Sequence, residues 1–135
     1  LNNPSREEIK NVLDHAKTIA VIGLSPNPSR TSYMVSEAMQ RAGYRIIPVN
    51  PQADHVLGEK SYASLSEIPE KVDIVNVFRR SEFLEDIADE FMKIDCPVFW
   101  TQLNVVDENV FNRLTDTGYT VIMDRCIKVE HAILK

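Results

Sequence analysis

Hydrophobic positions along the chain alternate between two rhythms. From Ile9 the apolar residues Ile9, Val12, Leu13 and Ala16 recur at helical spacing, and Ser5 with Glu8 forms a capping box ahead of them. Thr18 to Leu24 is then a continuous apolar run, too short for a helix and rich in Ile and Val, as a strand buried on both faces should be. Met34, Val35, Ala38, Met39 and Ala42 return to the helical period, with Thr31 or Ser32 as the expected cap and Gly43 as the left-handed stop. Tyr44 to Val49 reads as the second strand.

The same punctuation continues. A turn at Gly58 and a short segment from Ser64 to Ile68 precede the apolar run Val72 to Phe78, expected as a central strand. Ser81 is the expected cap of a helix carrying Leu84, Ile87, Ala88 and Phe91, with Glu82, Glu85 and Asp86 suiting the dipole of its first turn. Pro97 opens a strand over Val98 to Trp100. Val110, Phe111 and Leu114 form a helix that stops at Gly118, Tyr119 to Met123 is a strand, and Lys128 to Leu134 is a short final helix. Strands and helices alternating over short connections predict a Rossmann-like α/β fold of three layers, a mostly parallel sheet with helices on both faces. In such sheets ligands bind beyond the carboxyl ends of the strands, so the residues leaving each strand are the place to look. Those are Leu24-Ser25, Asn50-Pro51, Phe78-Arg79, Thr101-Gln102 and Asp124-Arg125.

Composition narrows the partners. The 135 residues, 44% hydrophobic and 26% charged, suit one domain spanning 1–135. Fifteen basic against twenty acidic residues leave a net charge of -5 with no basic stripe, which argues against nucleic acid. No apolar run of about 18 residues and no secretory pattern are present, so the expectation is a cytoplasmic protein without a membrane partner. Cys96 and Cys126 stand far apart, and His15, His55 and His131 make no metal motif.

The loop Val-Ile-Gly-Leu-Ser-Pro-Asn-Pro-Ser-Arg-Thr-Ser-Tyr, residues 21–33, carries the chemistry. A loop between a strand and a helix start offers unpaired N–H groups and the positive end of the helix dipole. Ser25, Asn27, Ser29, Thr31 and Ser32 add neutral donors, Arg30 adds a charge, and Pro26 and Pro28 stiffen the backbone. These features suit a phosphate. A dinucleotide site fits less well, because Ser25 and Pro28 stand where its second and third glycines belong. At the end of the second strand the neutral Asn50 replaces the acid that grips a free ribose. Arg79 and Arg80, at the end of the central strand, suit phosphate through paired hydrogen bonds, and Phe78 is either core or pocket wall. A different class of function, acyl transfer by Cys126 with His131 and Asp124, has the residue types but no oxyanion loop; five positions also separate the cysteine from the histidine.

With that loop, the blocks Gly-Tyr-Arg-Ile-Ile-Pro-Val-Asn-Pro (43–51), Val-Asp-Ile-Val-Asn-Val-Phe-Arg-Arg-Ser-Glu (72–82) and Met-Asp-Arg-Cys-Ile-Lys-Val-Glu-His (123–131) occur in order. Together they resemble the small stand-alone coenzyme A-binding proteins, similar to the CoA-binding domain of the succinyl-CoA synthetase alpha chain. The resemblance implies coenzyme A as ligand, its phosphates at the helix start and its adenine near the end of the second strand. It implicates Gly23, Ser25, Asn27, Ser29, Arg30, Ser32 and Tyr33, then Asn50 and Pro51, then Phe78 and Arg79. CoA carries a 3′-phosphate on its ribose, in keeping with a neutral Asn50. The related synthetases use a histidine in a further domain that has no counterpart in these residues, and His131 inherits no such role. The expectation is a module that binds CoA or an acyl-CoA as carrier, sensor or partner subunit, with no reaction and no protein partner specified.

Overall fold

The computed structural model describes residues 1–135. Five helices, α1 (Arg6–His15), α2 (Thr31–Arg41), α3 (Leu84–Phe91), α4 (Glu108–Thr117) and α5 (Ile127–Leu134), surround a sheet of five strands. Its strands are β1 (Thr18–Ile22), β2 (Arg45–Val49), β5 (Ile74–Val77), β6 (Val98–Thr101) and β7 (Thr120–Ile122), arranged β2-β1-β5-β6-β7. Every neighbouring pair is parallel. A two-residue antiparallel hairpin, β3 (His55–Val56) with β4 (Glu59–Lys60), lies outside that sheet. The architecture is the three-layer Rossmann-like one, with the Val72 to Phe78 run at its centre.

Strict alternation along each strand divides the core into two. Ala20, Ile22, Val75, Val77, Phe99 and Val121 face Leu84, Ile87, Phe91, Val110, Phe111 and Leu114 of α3 and α4. Ile19, Val21, Ile74, Val98, Trp100 and Ile122 face Ile9 and Leu13 of α1, Val35 and Met39 of α2, and Ile127 of α5. Because both faces are covered, the central strands read as continuous apolar runs rather than as alternating ones.

Helix ends follow from local chemistry. Ser5 accepts from Glu8 N–H at 3.2 Å. Gly43 (φ 107°) closes α2 in a Schellman arrangement, with Tyr44 N–H on Met39 O at 3.2 Å and Gly43 N–H on Gln40 O at 3.0 Å. Asp107 caps α4 by accepting from Val110 N–H at 3.1 Å. Asp107→Ala is expected to cost about 1 kcal/mol in urea unfolding without changing the denaturant slope. Two expected caps are corrected. The residue ahead of α2 is Arg30, with no side-chain cap, so neither Thr31 nor Ser32 fills that role. Ser81 caps no helix: it opens a 3-10 turn ahead of α3, and its hydroxyl accepts instead from Val106 N–H at 2.9 Å.

Beyond β1 the chain runs through α2 to β2 on one side, then returns through the hairpin to β5 on the other. Strand order therefore reverses between β1 and β5, and a crevice opens at their carboxyl ends.

Candidate functional site

At the end of β1 the backbone turns at Gly23, with φ 83° and its N–H on Val49 O at 3.0 Å. A Cβ here would meet Phe78 O at 2.6 Å, so the two strand ends that border the crevice approach as closely as only glycine allows.

The following loop satisfies its own backbone with its side chains. Ser25 N–H donates to Ser32 Oγ at 3.0 Å, Asn27 N–H to Ser25 Oγ at 3.1 Å, and Ser29 N–H to Asn27 Oδ1 at 3.0 Å. In each serine bond the hydroxyl oxygen accepts, which leaves its hydrogen for another acceptor. Arg30 N–H reaches Asn27 O, and Met34 N–H is the first of α2 to find a helical carbonyl, that of Arg30 at 3.1 Å. The N–H groups of Thr31, Ser32 and Tyr33 are the orphan donors of an uncapped helix start. Donors without acceptors, at the positive end of a dipole, are the arrangement that favours an anion.

The cations agree. Of the eight arginines, Arg6, Arg41, Arg45, Arg80 and Arg113 are held by carboxylates, Arg45 by Glu70 at 2.6 Å and Arg80 by Glu82 at 3.1 Å. The three without an acidic partner, Arg30, Arg79 and Arg125, all lie beyond carboxyl ends of strands. The guanidinium of Arg79 spreads over the Phe83 ring at 4.3 Å, a stacking that fixes it without neutralising it.

Between the ends of β1, β2 and β5 lies a cavity of about 320 Å³ walled by Gly23, Val49, Asn50, Pro51, Arg79 and Glu90. Asn50 ties its rim together, donating to Leu24 O at 2.9 Å and accepting from Gln52 N–H at 2.8 Å. Its neutrality thus serves the loops first, since a carboxylate could not donate to Leu24. Glu90 brings a carboxylate to the far wall and is pinned by Leu65 N–H.

A family model described as a CoA binding domain matches residues 17–132. The chain belongs to this CoA-binding family. YneT, an uncharacterized protein of Bacillus subtilis, is 57% identical over 135 residues, 100% of both chains. A solved structure from Thermus thermophilus superposes with a TM-score of 0.94 at 35% identity, covering 98% of this chain and 100% of that one. The alpha subunit of the ADP-forming acetate–CoA ligase II of Pyrococcus furiosus is 35% identical over 68 residues, 50% of this chain and 15% of the subunit. Membership in the CoA-binding family supports binding of CoA. No helix is long and apolar enough to cross a membrane.

In this CoA-binding chain the sequence-predicted residues occupy two neighbouring places. Ser25, Asn27, Ser29, Arg30, Ser32 and Tyr33 line the loop and the start of α2, with Ser32 buried and Arg30 exposed. Gly23, Asn50, Pro51 and Arg79 surround the cavity, while Phe78 packs against the half of the core covered by α1, α2 and α5 and borders a second hollow on the β6 side. Arg80, paired with Glu82, stands apart from the free cations. Ala63, Ile87 and Glu90 of the cavity wall were not anticipated. Ile87 and Glu90 sit on a helix read only for its core stripe, and nothing in their spacing signals a ligand.

No hydrogen bond joins Cys126, His131 and Asp124. Cys126 is a buried free cysteine ahead of α5, and Asp124 accepts from Asn104 N–H at 2.7 Å. His131 packs edge-on against Tyr44, their centroids 5.7 Å apart.

Proposed function

We propose that the protein binds CoA or an acyl-CoA across the carboxyl edge of β2, β1 and β5, as carrier, sensor or partner subunit. The observation that carries this reading is the uncapped start of α2, with free N–H groups at Thr31, Ser32 and Tyr33 flanked by the unpaired Arg30 and Arg79. The diphosphate sits on those N–H groups and on the Ser25 and Ser32 hydroxyls. The adenine enters the cavity between Asn50, Pro51 and Val49, where Glu90 can accept from its amino group. Arg79, at the junction of loop and cavity, meets the ribose 3′-phosphate.

Thermal unfolding with CoA, acetyl-CoA, NAD and NADP tests the ligand class. CoA at a hundred times its dissociation constant should add about 2.7 kcal/mol of stability, and NAD should add none. Equal stabilisation by NAD would sink the proposal. Calorimetry tests the residue roles. Arg79→Ala and removal of the 3′-phosphate from CoA should each weaken binding by about tenfold or more, the effect of one charge-assisted contact. The two losses should not add, because they delete the same contact. Full additivity would place the phosphate elsewhere.

A further inference from the structure

A second hollow, of about 500 Å³, opens beside the first at the carboxyl ends of β5 and β6; Phe78, Arg79, Gln102, Leu103 and Val105 are among its walls. Arg79 belongs to both, so the two are continuous along the strand edge. Gln102 is only 7% exposed, and its side-chain oxygen is buried with no hydrogen-bond partner. A buried amide left unpaired costs about 1–3 kcal/mol, so its retention asks for a reason. Leu103, by contrast, holds its apolar side chain 51% exposed at the rim.

The surrounding backbone is held in place around these two residues. Asn104 and Asp124 both adopt left-handed conformations, φ 68° and 60°, that cost a non-glycine residue free energy. Asn104 N–H on Asp124 Oδ1 at 2.7 Å joins the two, and Asp124 N–H on Thr101 Oγ1 at 3.3 Å ties them to the end of β6. Gln102 and Leu103 are thereby presented to the hollow by a rigid rim.

We infer that this hollow is an acyl subsite, which makes the preferred ligand a short-chain acyl-CoA thioester rather than free CoA. The inference rests on the CoA reading above. The hollow sets the apolar side chains of Phe78, Leu103 and Val105 beside one uncommitted amide, within a rim that also carries Arg80, Ser81 and Asn104, and this pairing matches a short alkyl chain attached to a carbonyl. No hydrogen bond engages the side-chain N–H groups of Gln102, and its buried atom without a partner is the oxygen, so the N–H groups are available to the thioester oxygen. From β1 to β6 is two strand spacings, about 10 Å, a span that an extended pantetheine arm crosses. The arm would run past Phe78 and Arg79 and deliver the sulfur to the edge of β6.

Calorimetry with CoA, acetyl-CoA, butyryl-CoA and the thioether S-ethyl-CoA tests the subsite. Each buried methylene should strengthen binding about fourfold, so butyryl-CoA should exceed CoA by at least about tenfold. Leu103→Ser, at an exposed position that does not threaten folding, should flatten the chain-length series. Gln102→Leu should remove the preference for acetyl-CoA over S-ethyl-CoA. Equal affinities for CoA and butyryl-CoA in the wild type would overturn the acyl subsite and leave CoA binding standing. Failure of every CoA derivative to bind would overturn both.

Discussion

Gly23→Val is expected to abolish CoA binding and to lower the melting temperature by about 10 °C. Two costs add at this position. With φ 83°, any side chain is strained, at about 1–2 kcal/mol for a residue forced left-handed. The new Cβ would also lie 2.6 Å from Phe78 O, a backbone atom of the central strand that cannot swing aside. Overpacking of that kind costs typically 1–3 kcal/mol. Relief must come from parting the ends of β1 and β5, the two elements that bring the α2 start and Arg79 to one crevice. Gly43→Ala serves as the control. It pays a similar conformational cost at φ 107°, but a Cβ there meets nothing within 4 Å, and the turn lies at the other end of the sheet. Its destabilisation should leave the CoA affinity of the folded protein unchanged. Equal affinity losses in the two variants would mean that Gly23 acts through stability alone.

The fold was legible because each strand run is short, apolar and bounded by a helical pattern. Gly43 and Gly118 announced the helix-to-strand turns directly, and both adopt positive φ. The turn at Gly58 was expected, but the hairpin strands β3 and β4 on either side of it escaped the reading. They have two residues each, too few for a period to register, and the turn between them pairs Gly58 with Leu57 at φ 55°, where sequence favours asparagine or aspartate. The cap of α2 was misread for a more instructive reason. Thr31 and Ser32 are good capping types, but Ser32 points inward to hold Ser25 N–H at 3.0 Å and Thr31 is already helical. Hydroxyls employed in shaping the loop leave the helix end open, and residue type cannot distinguish the two uses.

The placement of the candidate residues was legible where chemistry and chain neighbourhood coincide, as in the run from Gly23 to Tyr33, which forms one loop and helix start. Asn50 stands at the end of β2 as expected, yet the sequence could not show that its amide bridges Leu24 and Gln52. Glu90 was beyond reach as a cavity-wall residue for a different cause, and Gln102 was marked only as one of the residues leaving a strand. Glu90 is one of several acidic residues on α3, Gln102 one polar residue at the end of β6, and only the packing of α3 and β6 turns each toward a hollow. The isolation of Arg79 from carboxylates, set against the pairing of Arg80 with Glu82, is likewise a property of three dimensions.

Incubation with CoA disulfide is expected to place a single CoA adduct on Cys126 and none on Cys96. Trp100 Nε1–H on Arg125 O at 2.9 Å and Arg125 N–H on Thr101 O at 3.3 Å hold the segment ahead of Cys126 against the carboxyl end of β6. That is the edge to which the pantetheine arm would bring its sulfur. In the exchange the Cys126 sulfur attacks one sulfur of the disulfide, a protein–CoA disulfide forms, and the second CoA leaves as thiolate and takes up a proton. Cys96 precedes β6, at the opposite end of the sheet. It is 3% exposed, and burial pushes its thiol up to about 12, so it lacks both access and the reactive form. Cys126 is itself 8% exposed, so reaction needs a local opening of the α5 start, and a bound CoA moiety compensates by raising the local concentration of disulfide. Intact-mass and peptide analysis should show the adduct in wild type and Cys96→Ser but not in Cys126→Ser. Glutathione disulfide, which lacks the nucleotide, should react far more slowly, and Gly23→Val should slow CoA disulfide to that rate. Equal rates for the two disulfides would show ordinary thiol exposure instead of delivery by a bound nucleotide, and an adduct on Cys96 would place the sulfur at the wrong end of the sheet.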